Sequence, residues 1–148
     1  MYILEGDKLK TLTMNLRLLL ALTAVFSCGQ PQPLNNYPYQ YVETKQEESN
    51  EMLLFAYNDS INPATLQQFC KEKKDSFKSG FFHFIVIFDK KENAVFPRNP
   101  LTAMYGMDKD ALMHIRAIYT FNKLNGYSKL TMYEKNAYES APVVTDIH

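Results

Sequence analysis

The sequence predicts an α+β domain: a small mixed sheet of about four strands with one main helix packed on one face, in the order strand, helix, strand, short helices, β-hairpin. Three observations carry this. Phe81–Phe88, FFHFIVIF, is apolar at both parities, as a strand covered on both faces must be. Asn62-Pro63 opens a stretch whose apolar residues recur at helical spacing. Asn125-Gly126 separates two strand-like runs, a strong short-range signal for a hairpin.

The elements follow in order from Glu51. Met52–Tyr57, MLLFAY, is a short apolar run closed by Asn58-Asp59-Ser60, which suits a buried strand. Asn62 offers a side-chain cap and Pro63 a first helical position, where a missing N–H costs nothing. Leu66, Phe69, Cys70, Lys73 and Phe77 then place one face of residues 63–79 inward, with Lys73 at its margin laying its aliphatic stem on the core. Lysines 71, 73, 74 and 78 load the C-terminal half, where the helix dipole favours cations, and Gly80 supplies a stop. Strand, helix and strand in this order imply a right-handed parallel crossover.

Between Phe96 and Ile115 the sequence suggests short helical turns starting at Asn99-Pro100 and at Asp108. A two-residue turn at Asn125-Gly126 pairs Leu124 with Tyr127, Phe121 with Leu130 and Tyr119 with Met132. It gathers Ala117, Tyr119 and Phe121 on one apolar face. The other face pairs Thr120 with Thr131, Asn122 with Lys129 and Ile118 with Tyr133.

Upstream of this domain the chain reads differently. Met14–Cys28, MNLRLLLALTAVFSC, has a short basic start, an apolar run over Leu18–Phe26 and a small residue before a cysteine. The run is about half of what a stable membrane-crossing helix requires, so it fits the apolar region of an export signal. Val25-Phe26-Ser27-Cys28 resembles the lipobox of bacterial lipoproteins, with Phe26 bulkier than that family's usual residue. The resemblance covers residues 14–28 only and implies a lipidated Cys28 as the first residue of the mature chain. It also implies, with Gly29 following, an outer-membrane protein facing the periplasm, surface display being the second possibility. Two or three acyl chains anchor stably where one does not. The alternative is ordinary signal cleavage near Ser27 or Gly29 and soluble export. Residues 1–13, with Glu5 and Asp7, sit badly before such a signal and suggest that translation starts at Met14.

Residues 28–50 read as the lipidated cysteine and a flexible tether, rich in Pro, Gln, Asn and Glu and spanning roughly 25 Å as a coil. The Tyr37, Tyr39, Tyr41 alternation is either a partner-binding strand or a mildly adhesive linker. The folded domain is then 51–148.

Composition excludes several functions. Of the 16 basic and 16 acidic residues, three and two precede Cys28, so the mature chain carries 13 against 14. That balance leaves no footprint for nucleic acid. Of the 2 cysteines, Cys70 alone would remain as a thiol, so no internal disulfide forms.

Catalytic chemistry finds little support in the spacing. Cys70 with His83 or His114 is a conceivable nucleophile and base, but Cys70 falls on the inward face of a helix, where thiols are inert. His83 shares a strand face with Phe81, Ile85 and Ile87 and reads as a core or edge histidine. A metal site would require His83, His114 and Asp89 or Asp108 to converge, and their spacing matches no ligand pattern. No phosphate-binding glycine loop is present, so no catalytic, cofactor or metal residues are assigned and no cofactor is expected.

Two features suit binding instead. Phe96-Pro97-Arg98-Asn99-Pro100 presents Arg98 between prolines, which suits a carboxylate or a sugar acid. The mixed hairpin face offers Ile118, Tyr127 and Tyr133, with Tyr105 and Tyr138 near in sequence. Ten tyrosines without a tryptophan give aromatic area with polar tips, as interfaces and glycan sites use. A second layer or the C-terminal tail covering these residues is the competing reading. The expectation is therefore a lipid-anchored envelope module that binds a protein partner or cell-wall polymer without catalysis. The alternative is a small envelope hydrolase, which a cleft joining His83 or His114 to a carboxylate would favour.

Overall fold

The computed structural model describes residues 37–77, 80–98, 100–103 and 106–148. The expected signal, Cys28, the tether up to residue 36, and Tyr105 lie outside them.

Six strands form one mixed sheet in sequential order: β1 Gln40–Glu47, β2 Asn50–Ala56, β3 Phe82–Phe88, β4 Ile115–Asn122, β5 Tyr127–Tyr133 and β6 Pro142–Asp146. β2 and β3 are parallel, joined through helix α1, Pro63–Ser76; every other neighbouring pair is antiparallel. The α+β class stands, with two strands more than the expected four. The additional strands are the two edges, β1 and β6.

β1 corrects the tether as well. The fold begins before Glu51, because Gln40–Glu47 pairs with β2 along its length. Its side chains are largely polar, and the register shifts between Tyr41 and Glu43, so no clean two-residue period survives in the sequence. Its partner supplies backbone hydrogen bonds that composition does not reveal. Tyr39 is buried, its ring 4.9 Å from Phe69 and 5.3 Å from Tyr57. Tyr37 rests 5.2 Å from Phe69 and donates to Glu72 on α1 at 2.6 Å. Both tyrosines belong to the packing of α1.

α1 starts as expected. The Asn62 side chain accepts from Thr65 N at 3.0 Å, and Pro63 opens the first turn. Lys73 Nζ lies 5.7 Å from the Phe55 ring and 5.8 Å from Phe69, its stem along the apolar margin. The helix ends at Ser76, short of Gly80, because Phe77 turns to extended geometry and stacks on His83 at 4.1 Å. Gly80 serves packing: at φ +102 it lies where a Cβ would come within 2.8 Å of Ser49 O.

Two apolar clusters sandwich the sheet. On the α1 face, Leu66, Phe69 and Cys70 meet Phe55, Ile85, Ile87, Tyr119 and Leu130. The opposite face, with Met52, Leu54, Val86, Phe88 and Ile118, is covered by Phe96, Leu101, Met107 and Leu112 from the β3–β4 connection. That connection contains a 3-10 turn, Lys91–Asn93, and a short helix α2, Lys109–Leu112, beginning after Asp108. Pro100 opens a hydrogen-bonded turn to Ala103.

The hairpin keeps its expected faces but not its register. Tyr119 pairs with Leu130 and Phe121 with Ser128, a shift of two residues, so the loop has four residues, Lys123 to Gly126. A two-residue type I′ turn requires positive φ at both positions, and here Gly126 alone adopts it, at 74°. Asn122 favours the longer loop: its carbonyl accepts from Gly126 N at 3.0 Å and its side chain from Leu124 N at 2.9 Å.

Candidate functional site

Two histidine–carboxylate pairs lie at opposite ends of β3. At its start, His83 is 1% exposed, and its Nδ1 lies 3.2 Å from Glu51 Oε2. The ring stacks on Phe77 at 4.1 Å with Phe121 at 5.9 Å, and Nε2 is buried without a hydrogen-bond partner. Buried in this aromatic cluster, His83 is a core residue.

The second pair forms where β3 ends and β4 begins. Asp89 follows the last residue of β3, and its backbone N donates to His114 O at 2.9 Å, which draws the two residues together. His114 Nδ1 lies 2.9 Å from both Asp89 Oδ2 and Asn93 Nδ2. A carboxylate can only accept, so the Nδ1 proton of His114 is donated to Asp89. Asn93 donates to the other carboxylate oxygen at 2.9 Å. Burial pushes the Asp89 carboxyl up. The hydrogen bonds from Asn93 and His114 and the charges of His114 and Arg116 outweigh this and hold it below its usual value.

Arg116 completes the arrangement. Ile87 pairs with Ala117 and Phe88 with Ile115, leaving Arg116 as an extra residue on β4. Such a bulge re-aims a side chain. Here it sets the guanidinium beside Asp89, Nη2 to Oδ2 3.6 Å, in the wall of a cleft of about 580 Å³. The cleft lies at the carboxyl ends of the parallel strands β2 and β3, beside the N-terminus of α1, where open α/β sheets bind ligands. Its apolar lining includes Tyr57, Ile61, Met132 and Val143; Asp59 and Glu134 stand exposed among its polar residues. Its size falls within the ordinary range of small-molecule sites. His114 holds Asp89 without itself lining the wall.

No family model, curated protein or solved structure matches this chain.

The residues singled out from the sequence fare unevenly. Arg98 pairs with Asp108 at 3.1 Å, both side chains being almost fully in solvent. Ile118 is buried in the second cluster, at the base of a pocket that it lines with Tyr127. Tyr127 is about half exposed at the start of β5, whereas Tyr133 is partly buried at its end and lines the cleft. These residues therefore do not form one patch. Asp108 is drawn to Arg98, His83 is at the far end of the sheet, and only His114 and Asp89 meet. Among the described residues no group of three or more His, Cys, Asp or Glu is placed to hold a metal.

Cys70 is fully buried in α1, and burial pushes its thiol far above the usual range. That is the opposite of an activated nucleophile. Among the described residues no hydroxyl or thiol is hydrogen-bonded to His114. The signal for the cleft was nonetheless present in the sequence, as a lone charge, Arg116, embedded in the apolar run Ile115–Phe121.

Proposed function

We propose that this protein is a lipid-anchored module of a bacterial cell envelope, held by Cys28 and binding a protein partner or cell-wall polymer without catalysis. The anchor rests on the lipobox-like residues before Cys28. No described helix is long and apolar enough to cross a membrane. The observation that carries the binding half is the cleft beside α1: an arginine held at its edge by a fixed carboxylate among apolar residues, with the Cys70 thiol buried elsewhere and unactivated. Such a site supplies orientation and affinity.

Two measurements test this. Mass spectrometry of the mature N-terminus should find acylated Cys28, and Cys28→Ala should abolish it; an unmodified wild-type chain starting elsewhere would remove the anchor from the account. Affinity capture from envelope extracts should retain a defined component that survives salt washing, and recovery of none would remove the binding role.

The hydrolase reading has one specific observation in its favour, the 2.9 Å bond orienting His114 on Asp89. It requires His114→Gln to abolish a hydrolytic activity while leaving ligand binding intact. Under the binding reading there is no such activity to lose, and the variant weakens ligand binding by loosening Asp89.

A further inference from the structure

We propose that the cleft is a carboxylate-recognition site in which Arg116 is the reading residue and Asp89, fixed by His114 and Asn93, is the positioning residue. This rests on the binding role proposed above and names the chemistry of the group bound. The bulge at Arg116 places a guanidinium, 33% exposed, in the wall of a concave, partly apolar space; Arg98 lines a smaller pocket, but its side chain is 91% exposed and hydrogen-bonded to Asp108. Arg116 is held by Asp89 at 3.6 Å, longer than a hydrogen bond. Its donor fork is therefore oriented by a charge that does not hydrogen-bond it, which suits bidentate carboxylate recognition.

Asp89 is committed elsewhere. Asn93 donates to one oxygen and His114 to the other, which fixes the carboxylate that steadies Arg116. The first turn of α1 reaches the same cleft through Pro63, and its dipole adds a second favourable term for an anion. Met132 and Val143 give the body of the ligand apolar contact, and the exposed Asp59 and Glu134 oppose every negative charge, so a ligand with one carboxylate is favoured over one with two. The ligand is thus a monocarboxylate on an apolar or ring-shaped body. A sugar acid and the C-terminal carboxylate of a peptide share this chemistry.

Titration of the full chain in detergent micelles, followed by NMR, tests the assignment. The probes are N-acetylmuramic acid for the sugar source and an N-acetylated dipeptide for the peptide source, each against its neutral amide. One acid should bind saturably with its amide at least about tenfold weaker, and whichever acid binds identifies the source. Arg116→Gln should lose about tenfold to a hundredfold in affinity, and Arg116→Lys should recover only part of it, because an ammonium lacks the fork. Arg98→Gln should bind as the wild type does. Asp89→Asn should weaken binding while its melting curve stays cooperative.

Saturable binding of neither acid, or equal binding of acid and amide, overturns the assignment. So does unchanged affinity in Arg116→Gln with an intact amide spectrum. If envelope capture persists in Arg116→Gln at the wild-type level, the assignment fails while the wider binding role stands. If wild-type protein captures nothing, both fall.

Discussion

Tyr39→Phe is expected to stabilise the protein. Tyr39 is 7% exposed, and its hydroxyl is buried with no hydrogen-bond partner. Its ring contacts, 4.9 Å to Phe69 and 5.3 Å to Tyr57, survive the substitution unchanged. What disappears is the desolvation of an unpaired hydroxyl, which mutational data place at about 1–3 kcal/mol. Removing one oxygen leaves too little space for a cavity penalty to offset that. A gain of about 1–2 kcal/mol corresponds to a rise of roughly 4–12 °C in Tm for a domain of this size. The assay is urea denaturation of a soluble version beginning at Gly29, monitored by near-ultraviolet circular dichroism, with Tyr41→Phe alongside. The Tyr41 hydroxyl is in solvent and bonded to Thr44 at 2.9 Å, so that variant should change stability by less than about 0.5 kcal/mol. The midpoint should rise with the slope unchanged. A loss of stability in Tyr39→Phe would refute the reasoning: the hydroxyl would then have a partner, or residue 39 would not be packed against α1.

Other substitutions probe other parts of the fold. Glu48→Gly should stabilise by about 1 kcal/mol, since Glu48 holds φ 52 in the β1–β2 turn, and chemical denaturation reads the gain. Gly80→Ala should destabilise by about 1–3 kcal/mol in the same assay, because the added Cβ meets Ser49 O at 2.8 Å in a positive-φ conformation. Leu66→Ala, at a fully buried contact of α1 with the sheet, should cost about 2–5 kcal/mol. The Asp89 carboxyl sits below its usual 3.8 when folded, so its contribution is fully present above that pH and is lost as pH falls through the lower folded value. Asp89→Asn should therefore flatten stability against pH in the acid limb, measured by denaturation at a series of pH values.

The sequence carried the interior of the fold better than its edges. β3 was legible because a strand covered on both faces is apolar throughout, and α1 because Asn62, Pro63 and the spacing of Leu66, Phe69 and Cys70 agree. β1 was not: it lies at an edge, is polar and is bulged, and pairs through backbone groups that every sequence possesses. Its tyrosines were noticed, but their partner Phe69 lies thirty residues away in the chain, a contact no local pattern reports. β6 escaped for a related reason, since Val143 and Val144 are exposed on a short edge strand and have no alternating face. Asn125-Gly126 marked the hairpin, while the hydrogen bonds of Asn122 decided its loop length.

The site followed the same logic. Arg98 drew notice because prolines flank it, but it stands at the rim of a small pocket, where it makes a solvated ion pair with Asp108. Arg116 sits in the cleft because of a bulge in the pairing of β3 with β4, and pairing is a property of two strands rather than one. His114 and Asp89 are separated by 25 residues and meet through the bond from Asp89 N to His114 O.

The most direct test of the account is photo-crosslinking in living cells with a benzophenone side chain at Ile61, on the cleft wall, compared with one at Arg98. The account predicts one defined envelope adduct from position 61, lost on adding Arg116→Gln, and none of that species from position 98. Equal adducts from both positions, or an adduct at 61 indifferent to Arg116, would contradict it.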